Sequence, residues 1–144
     1  MTNHARVAAL AVALAIAQTP HALAQTVGAS SGATVTSPDG TQMTLYYMVL
    51  LRRGPAWTSK VTPETRKVSA DHLANIRRLT KEGKMVVAGP FDGQTGDRAL
   101  AGIFILRAAS VDEATTVADS DPAVKAGRFV YEIAPWWGPK SLRY

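Results

Sequence analysis

Apolar and polar positions divide the chain into four strand-like stretches and two helical ones. Thr44 to Arg53 reads Thr-Leu-Tyr-Tyr-Met-Val-Leu-Leu-Arg-Arg, dense in aromatic and β-favouring residues, and Gly54-Pro55-Ala56-Trp57 breaks it. Lys84 to Ala88 and Arg98 to Arg107 predict two further strands, joined by a loop with three glycines, and Arg128 to Ala134 predicts the last. Pro135-Trp136-Trp137-Gly138-Pro139 is expected to end the regular structure. Between the first two strands the period becomes helical. Thr62 can cap, Pro63 suits a first turn, Glu64 favours the positive end of the dipole, and the stripe Val68, Leu73, Ile76 and Leu79 runs to Lys81 before Gly83 stops it. Ser110-Val-Asp-Glu113 has capping-box spacing and opens a second helix to about Asp119. Asp121-Pro122 interrupts, a further helical turn passes through Val124-Lys125, and Gly127 closes it.

The order is βαββαβ, a ferredoxin-like α+β arrangement that predicts one antiparallel sheet with two helices on a single face. The first strand points Leu45, Tyr47, Val49 and Leu51 one way and Tyr46, Met48 and Leu50 the other; Ile103/Ile105 oppose Phe104/Leu106 in the third. A sheet solvated on one side alternates apolar with polar residues. This sheet is apolar on both sides and its helices cover one, so the uncovered face is expected to meet the same face of a second copy, as a homodimer.

The N-terminal residues change the picture of the chain's destination. Residues 1–24 carry a short basic start, an apolar run from Val7 to Ala17 and Ala22-Leu23-Ala24, the small-x-small pattern of a cleaved signal peptide. The run falls well short of the roughly 20 residues that span a bilayer. The expectation is a periplasmic or secreted protein with no membrane attachment after cleavage, in which residues 25–43 form a Ser/Thr/Gly-rich flexible leader and residues 44–144 the domain. Arg6 is the one charged residue of the signal segment, and its removal lowers the net charge from +5 to +4. The remaining charges are dispersed pairs, which with export argues against a nucleic-acid partner. The chain has no cysteine, so packing and association must supply its stability.

His72 is the candidate for chemistry. It lies four residues from both Val68 and Ile76, on the inward stripe of the first helix, whereas His4 and His21 leave with the signal segment. An isolated histidine there is as well explained as a core-edge residue bonded to a backbone carbonyl. Asp92, after Gly-Pro-Phe, is likewise explained as a turn residue. Together they suggest a pair: a partly buried carboxylate beside an imidazole fixes its tautomer and prepares it as a general base. Trp57, Trp136 and Trp137 suit an aromatic wall or plugs at sheet ends, and Arg52 and Arg53 a carboxylate clamp or a solvated strand end. One histidine with scattered carboxylates makes no transition-metal site, and no P-loop or dinucleotide fingerprint is present, so neither metal nor cofactor is expected.

The spacing of His72-Leu73, Leu79, Gly83, Val86 and Ala88-Gly89-Pro90-Phe91-Asp92 resembles that of the YCII-related family. Ala101-Gly-Ile-Phe-Ile-Leu-Arg107, Ser110 to Ala114, Asp121-Pro122, Ala126-Gly127 and Pro135-Trp136 follow in the family's order, so the likeness covers Tyr46 to Trp137. The resemblance implies a dimeric α+β barrel and an active site on a histidine–aspartate pair, carried here by His72 and Asp92. Two features depart from it: familiar members are cytoplasmic, and the loop after Phe91 varies, which leaves Asp97 as the alternative partner. The resulting expectation is a cofactor-independent lyase or isomerase acting on a small cyclic or aromatic molecule. The rivals are a non-catalytic dimeric module binding a small ligand in the same cleft, and a structural dimer.

Overall fold

The computed structural model describes residues 33–93 and 99–143. The signal segment, residues 25–32 of the leader, and Asp97 lie outside the described residues. Eight elements follow in order: β1 (Thr34–Thr36), β2 (Gln42–Arg53), α1 (Pro63–Lys81), β3 (Met85–Pro90), β4 (Leu100–Leu106), α2 (Val111–Asp119), α3 (Pro122–Lys125) and β5 (Phe129–Pro139). The sheet runs β3-β4-β2-β5, every pair antiparallel, with β1 pairing the start of β2. Because β4 lies between β2 and β3, the unit β2-α1-β3 is the split βαβ of a ferredoxin-like α+β fold. Among the described residues no helix is long and apolar enough to cross a membrane.

Local chemistry sets the ends of α1. The Thr62 hydroxyl accepts from the Thr65 amide, and the Thr65 hydroxyl accepts from the Thr62 amide, a reciprocal cap at the N-terminus. At the other end Gly83 adopts φ +73°, which lets its amide reach the Thr80 carbonyl and the Lys84 amide reach the Leu79 carbonyl.

The core confirms the two-sided strand pattern. On the helix side Tyr47, Val49, Leu51, Phe104 and Leu106 pack with Leu79 of α1 and Val117 of α2. On the other side Tyr46, Val86 and Ile105 form a second cluster to which no helix contributes. The C-terminal stretch covers part of it. The Trp136 ring lies 5.9 Å from that of Tyr46, whose hydroxyl donates to the Pro139 carbonyl at 3.1 Å.

Three expectations need correction. The stretch read as a flexible leader is a hairpin from Thr34 onward, with Thr34–Thr36 paired to residues of β2. The Pro-Trp-Trp-Gly-Pro segment does not end the last strand: β5 pairs β2 continuously from Arg53↔Phe129 to Met43↔Pro139. Proline is tolerated there because β5 is an edge strand, whose outer side owes no hydrogen bond to a neighbour. Leu73 is not part of the inward stripe, being 51% exposed, and Asn75 turns inward with Leu79.

Candidate active site

The helix α1 delivers His72 and Asn75, three residues apart, to the face that packs against α3. Asp121 is the N-cap of α3, where its Oδ1 accepts from the amides of Ala123 (2.9 Å) and Val124 (3.4 Å). Its carboxylate also reaches α1. His72 Nδ1 lies 2.9 Å from each of its oxygens, and Asn75 Nδ2 donates to Oδ2 at 3.2 Å. Arg78 extends the chain, donating from Nη2 to Asn75 Oδ1 and from Nη1 to Glu82 Oε1, both at 2.7 Å. Glu82, Arg78, Asn75, Asp121 and His72 thus form one connected chain, in which the Asp121 carboxylate at the head of α3 bridges Asn75 and His72 of α1.

The Asp121 side chain is 1% exposed. Burial pushes its carboxyl up, but the hydrogen bond and charge of His72, with the donors Asn75 and Ala123, outweigh it and hold the carboxyl below the ordinary range. Asp121 is therefore a carboxylate at neutral pH, with only accepting oxygens. His72 Nδ1 must then carry a proton and donate it, which leaves the lone pair of the neutral ring on Nε2.

That ring borders a cavity of about 290 Å³ between α1 and the sheet. Leu51, Ile76, Ala88, Phe104 and Phe129 form its walls, and among the described residues His72 is the one polar side chain in the lining. Phe104 and Phe129 flank the imidazole at centroid distances of 5.8 and 5.6 Å. The floor needs glycine: a Cβ on Gly102 would stand 2.7 Å from the Gly89 carbonyl oxygen. The register of β2 against β4 shifts between Leu51 and Arg52 at this end of the sheet, and that of β3 against β4 between Met85 and Val87 at the other. The arrangement can take a flat apolar molecule and remove or return a proton at one fixed point.

Asp92 is not the carboxylate on His72 Nδ1; Asp121 holds that place. Asp92 is exposed in the segment that leaves the sheet after β3, which pairs only with β4, whereas α3 packs directly on α1. The alternative, Asp97, lies outside the described residues. Sequence reasoning met Asp121 as a helix interruption and, with Pro122, as a landmark of the family's order, gave it no role in the site, and passed over Asn75. Their available signals were an Asp-Pro cap and a polar residue three positions from His72. Arg52 pairs with Glu132 at 3.0 Å, and Arg53 stacks 4.1 Å above Trp57. Among the described residues no three His, Cys, Asp or Glu side chains converge as a metal ion would require.

The model of the YCII-related domain matches residues 45–137. The uncharacterized protein YjpA of Bacillus subtilis (strain 168) is 30% identical over 80 residues, covering 53% of this chain and 88% of YjpA. Among solved structures, the chain resembles 5-chloro-2-hydroxyhydroquinone dehydrochlorinase (TftG) of Burkholderia phenoliruptrix AC1100 in complex with 2,5-dihydroxybenzoquinone. The two are 27% identical, the likeness covers 63% of this chain and 92% of that one, and the TM-score is 0.46. The match of the domain model across most of the chain, over the strands and helices described above, shows that this protein belongs to the YCII-related domain family.

Proposed function

We propose that this protein is a cofactor-independent acid–base enzyme, a lyase or isomerase, acting on a small cyclic or aromatic molecule. One observation carries the reading: the imidazole nitrogen left free by the His72–Asp121 bond belongs to the polar side chain of an otherwise apolar cavity. His72 Nε2 takes a proton from a carbon or hydroxyl of the bound ring. The imidazolium that forms is held by the Asp121 carboxylate, whose low proton affinity keeps the charge pair separated. Nε2 then returns the proton to a departing group, giving elimination, or to a second carbon, giving isomerisation. Apolar walls strengthen each of these charge interactions by keeping water out.

Hydrogen exchange tests the base without the natural substrate. A panel of small cyclic ketones and enones in deuterated buffer is expected to take up deuterium at the acidic carbon about 10²–10⁴-fold faster with the wild type than with His72→Gln. Equal rates would remove the catalytic role. Ring-proton shifts of Phe104 and Phe129 that persisted in that case would favour the binding-module reading.

The same reading includes export and a homodimer. The signal-like segment supports the first, and the partly buried Met48, Val87 and Ile103 on the helix-free face support the second. Expressed from its full sequence in a bacterium, the protein should be recovered outside the cytoplasm, starting at Gln25, and sediment at twice the chain mass. Ile103→Glu should split it into monomers. A cytoplasmic product retaining Met1 contradicts export, and a monomeric wild type contradicts the dimer.

A further inference from the structure

Beside the His72 cavity lies a second, open groove of about 380 Å³, and Leu73 lines both. Three cations line it, Lys60 from the segment before α1, Arg66 from the first turns of α1 and Arg128 from just before β5, beside apolar walls from Val61, Ala70 and Leu73. Among the described residues no Asp or Glu lines it, and none forms an ion pair with Lys60, Arg66 or Arg128.

Arg128 is the informative member. Its Nη2 donates to the Thr58 carbonyl at 3.3 Å, while its Nη1 is buried without a partner. A buried donor left unmade is costly, and a charged one more so, which is why native proteins rarely keep one with no use for it. Nη1 is closed off from solvent in this conformation, so a carboxylate would reach it by a small rotation of the side chain that brings the planar guanidinium edge to the groove. The neighbouring chain position, Phe129, is a wall of the His72 cavity, so the two compartments share an edge as well as Leu73. Along α1, Arg66 stands six residues before His72, about 9 Å of helix rise.

We propose that this groove is the acid-binding end of the site, so that the ligand is a small ring bearing a carboxylate on a short chain. The ring enters the His72 cavity and the carboxylate bonds Arg128 and Arg66, with Lys60 adding charge at the rim. Its place as a subsite rests on the function proposed above; its preference for an acid does not.

The test titrates the full chain with 3-phenylpropionate and, separately, with its neutral analogue 3-phenylpropanamide, followed by amide NMR shifts. The acid is expected to bind about tenfold more tightly, as charge-assisted bonds predict, and the advantage should shrink with added salt. Arg66→Gln, on an exposed helix position, and Arg128→Gln should each abolish the advantage, and Arg77→Gln, a surface charge of the same helix, should leave it intact. Equal affinities in the wild type overturn the inference, as does an advantage that survives both groove substitutions or is lost equally in Arg77→Gln. If both compounds shift the cavity residues equally, the cavity reading stands and the acid site falls. If the acid moves the groove while His72 and the cavity stay silent, the acid site stands and the proposed function falls.

Discussion

Asp121→Asn is expected to reverse the tautomer of His72 and to lower catalysis in the cavity by about 10³–10⁴-fold, the scale seen when a histidine base is held in the wrong tautomer. An asparagine that keeps its oxygen on the Ala123 amide puts its NH₂ in the Oδ2 position, between the Asn75 amide, which cannot accept, and His72 Nδ1, which can. Nδ1 then accepts instead of donating, and the ring proton moves to Nε2. Nitrogen-15 shifts of the His72 ring report this directly: protonated Nδ1 in the wild type, protonated Nε2 in the variant. An unchanged tautomer would end the positioning role assigned to Asp121. Stability should fall by about 1–3 kcal/mol, since the Asn75 amide loses its acceptor while the helix cap survives. Asp121→Ala removes the acceptor for both side chains and the cap together, and should cost about 3–5 kcal/mol. The difference between wild type and Asp121→Asn depends on pH. The folded carboxyl holds its proton less firmly than the unfolded one, so its stabilisation is complete above the unfolded value of about 3.9. It is lost as pH falls through the lower folded value. Thermal melts of the two proteins should therefore begin to approach each other as pH falls below about 4 and coincide only below the folded value.

Phe104→Ala is expected to destabilise the protein by about 3–5 kcal/mol, as truncation of a buried aromatic does when its surroundings cannot collapse. Phe104 is 2% exposed and stands on the central strand β4, opposite Val49 of β2 and Ala88 of β3. Both neighbours are held by strand pairing on either side, so the void cannot close from there. Its other side already borders the cavity, and the enlarged space would release one flank of the His72 ring. At roughly 4–8 °C per kcal/mol for a domain of this size, the melting temperature should drop by at least about 12 °C. Phe104→Leu keeps most of the wall and should lose less. A loss under about 1 kcal/mol for alanine would show that the sheet relaxes around the site, contrary to the close packing described.

The elements that were legible in the sequence are those whose causes are local. Thr62 and Pro63 start α1 and Gly83 ends it because capping involves amides within a few residues of the cap. The two-faced character of the sheet was legible because side chains alternate along a strand whatever its neighbours do. The inward position of His72 followed from its spacing to Val68 and Ile76. The same reasoning overreached at Leu73, where one further residue turns the side chain about a quarter of a turn toward the cavity rim.

What pairing and packing over long separations control was not legible. Whether a proline-containing segment continues a strand depends on which of its edges needs hydrogen bonds. Only the position of β5 at the sheet margin, against the full length of β2, decided that. The carboxylate of the site is the sharper case. An Asp before proline at the head of a short helix has the same sequence signature when solvated as when buried. Asp121 is buried against His72, 49 residues away, because α3 packs on α1. The sequence by itself determined the order of elements from β2 to β5, both apolar faces of the sheet and the histidine. The tertiary structure chose Asp121 over Asp92 as its carboxylate, because a hydrogen-bond partner is set by the approach of two helices, which no local pattern encodes.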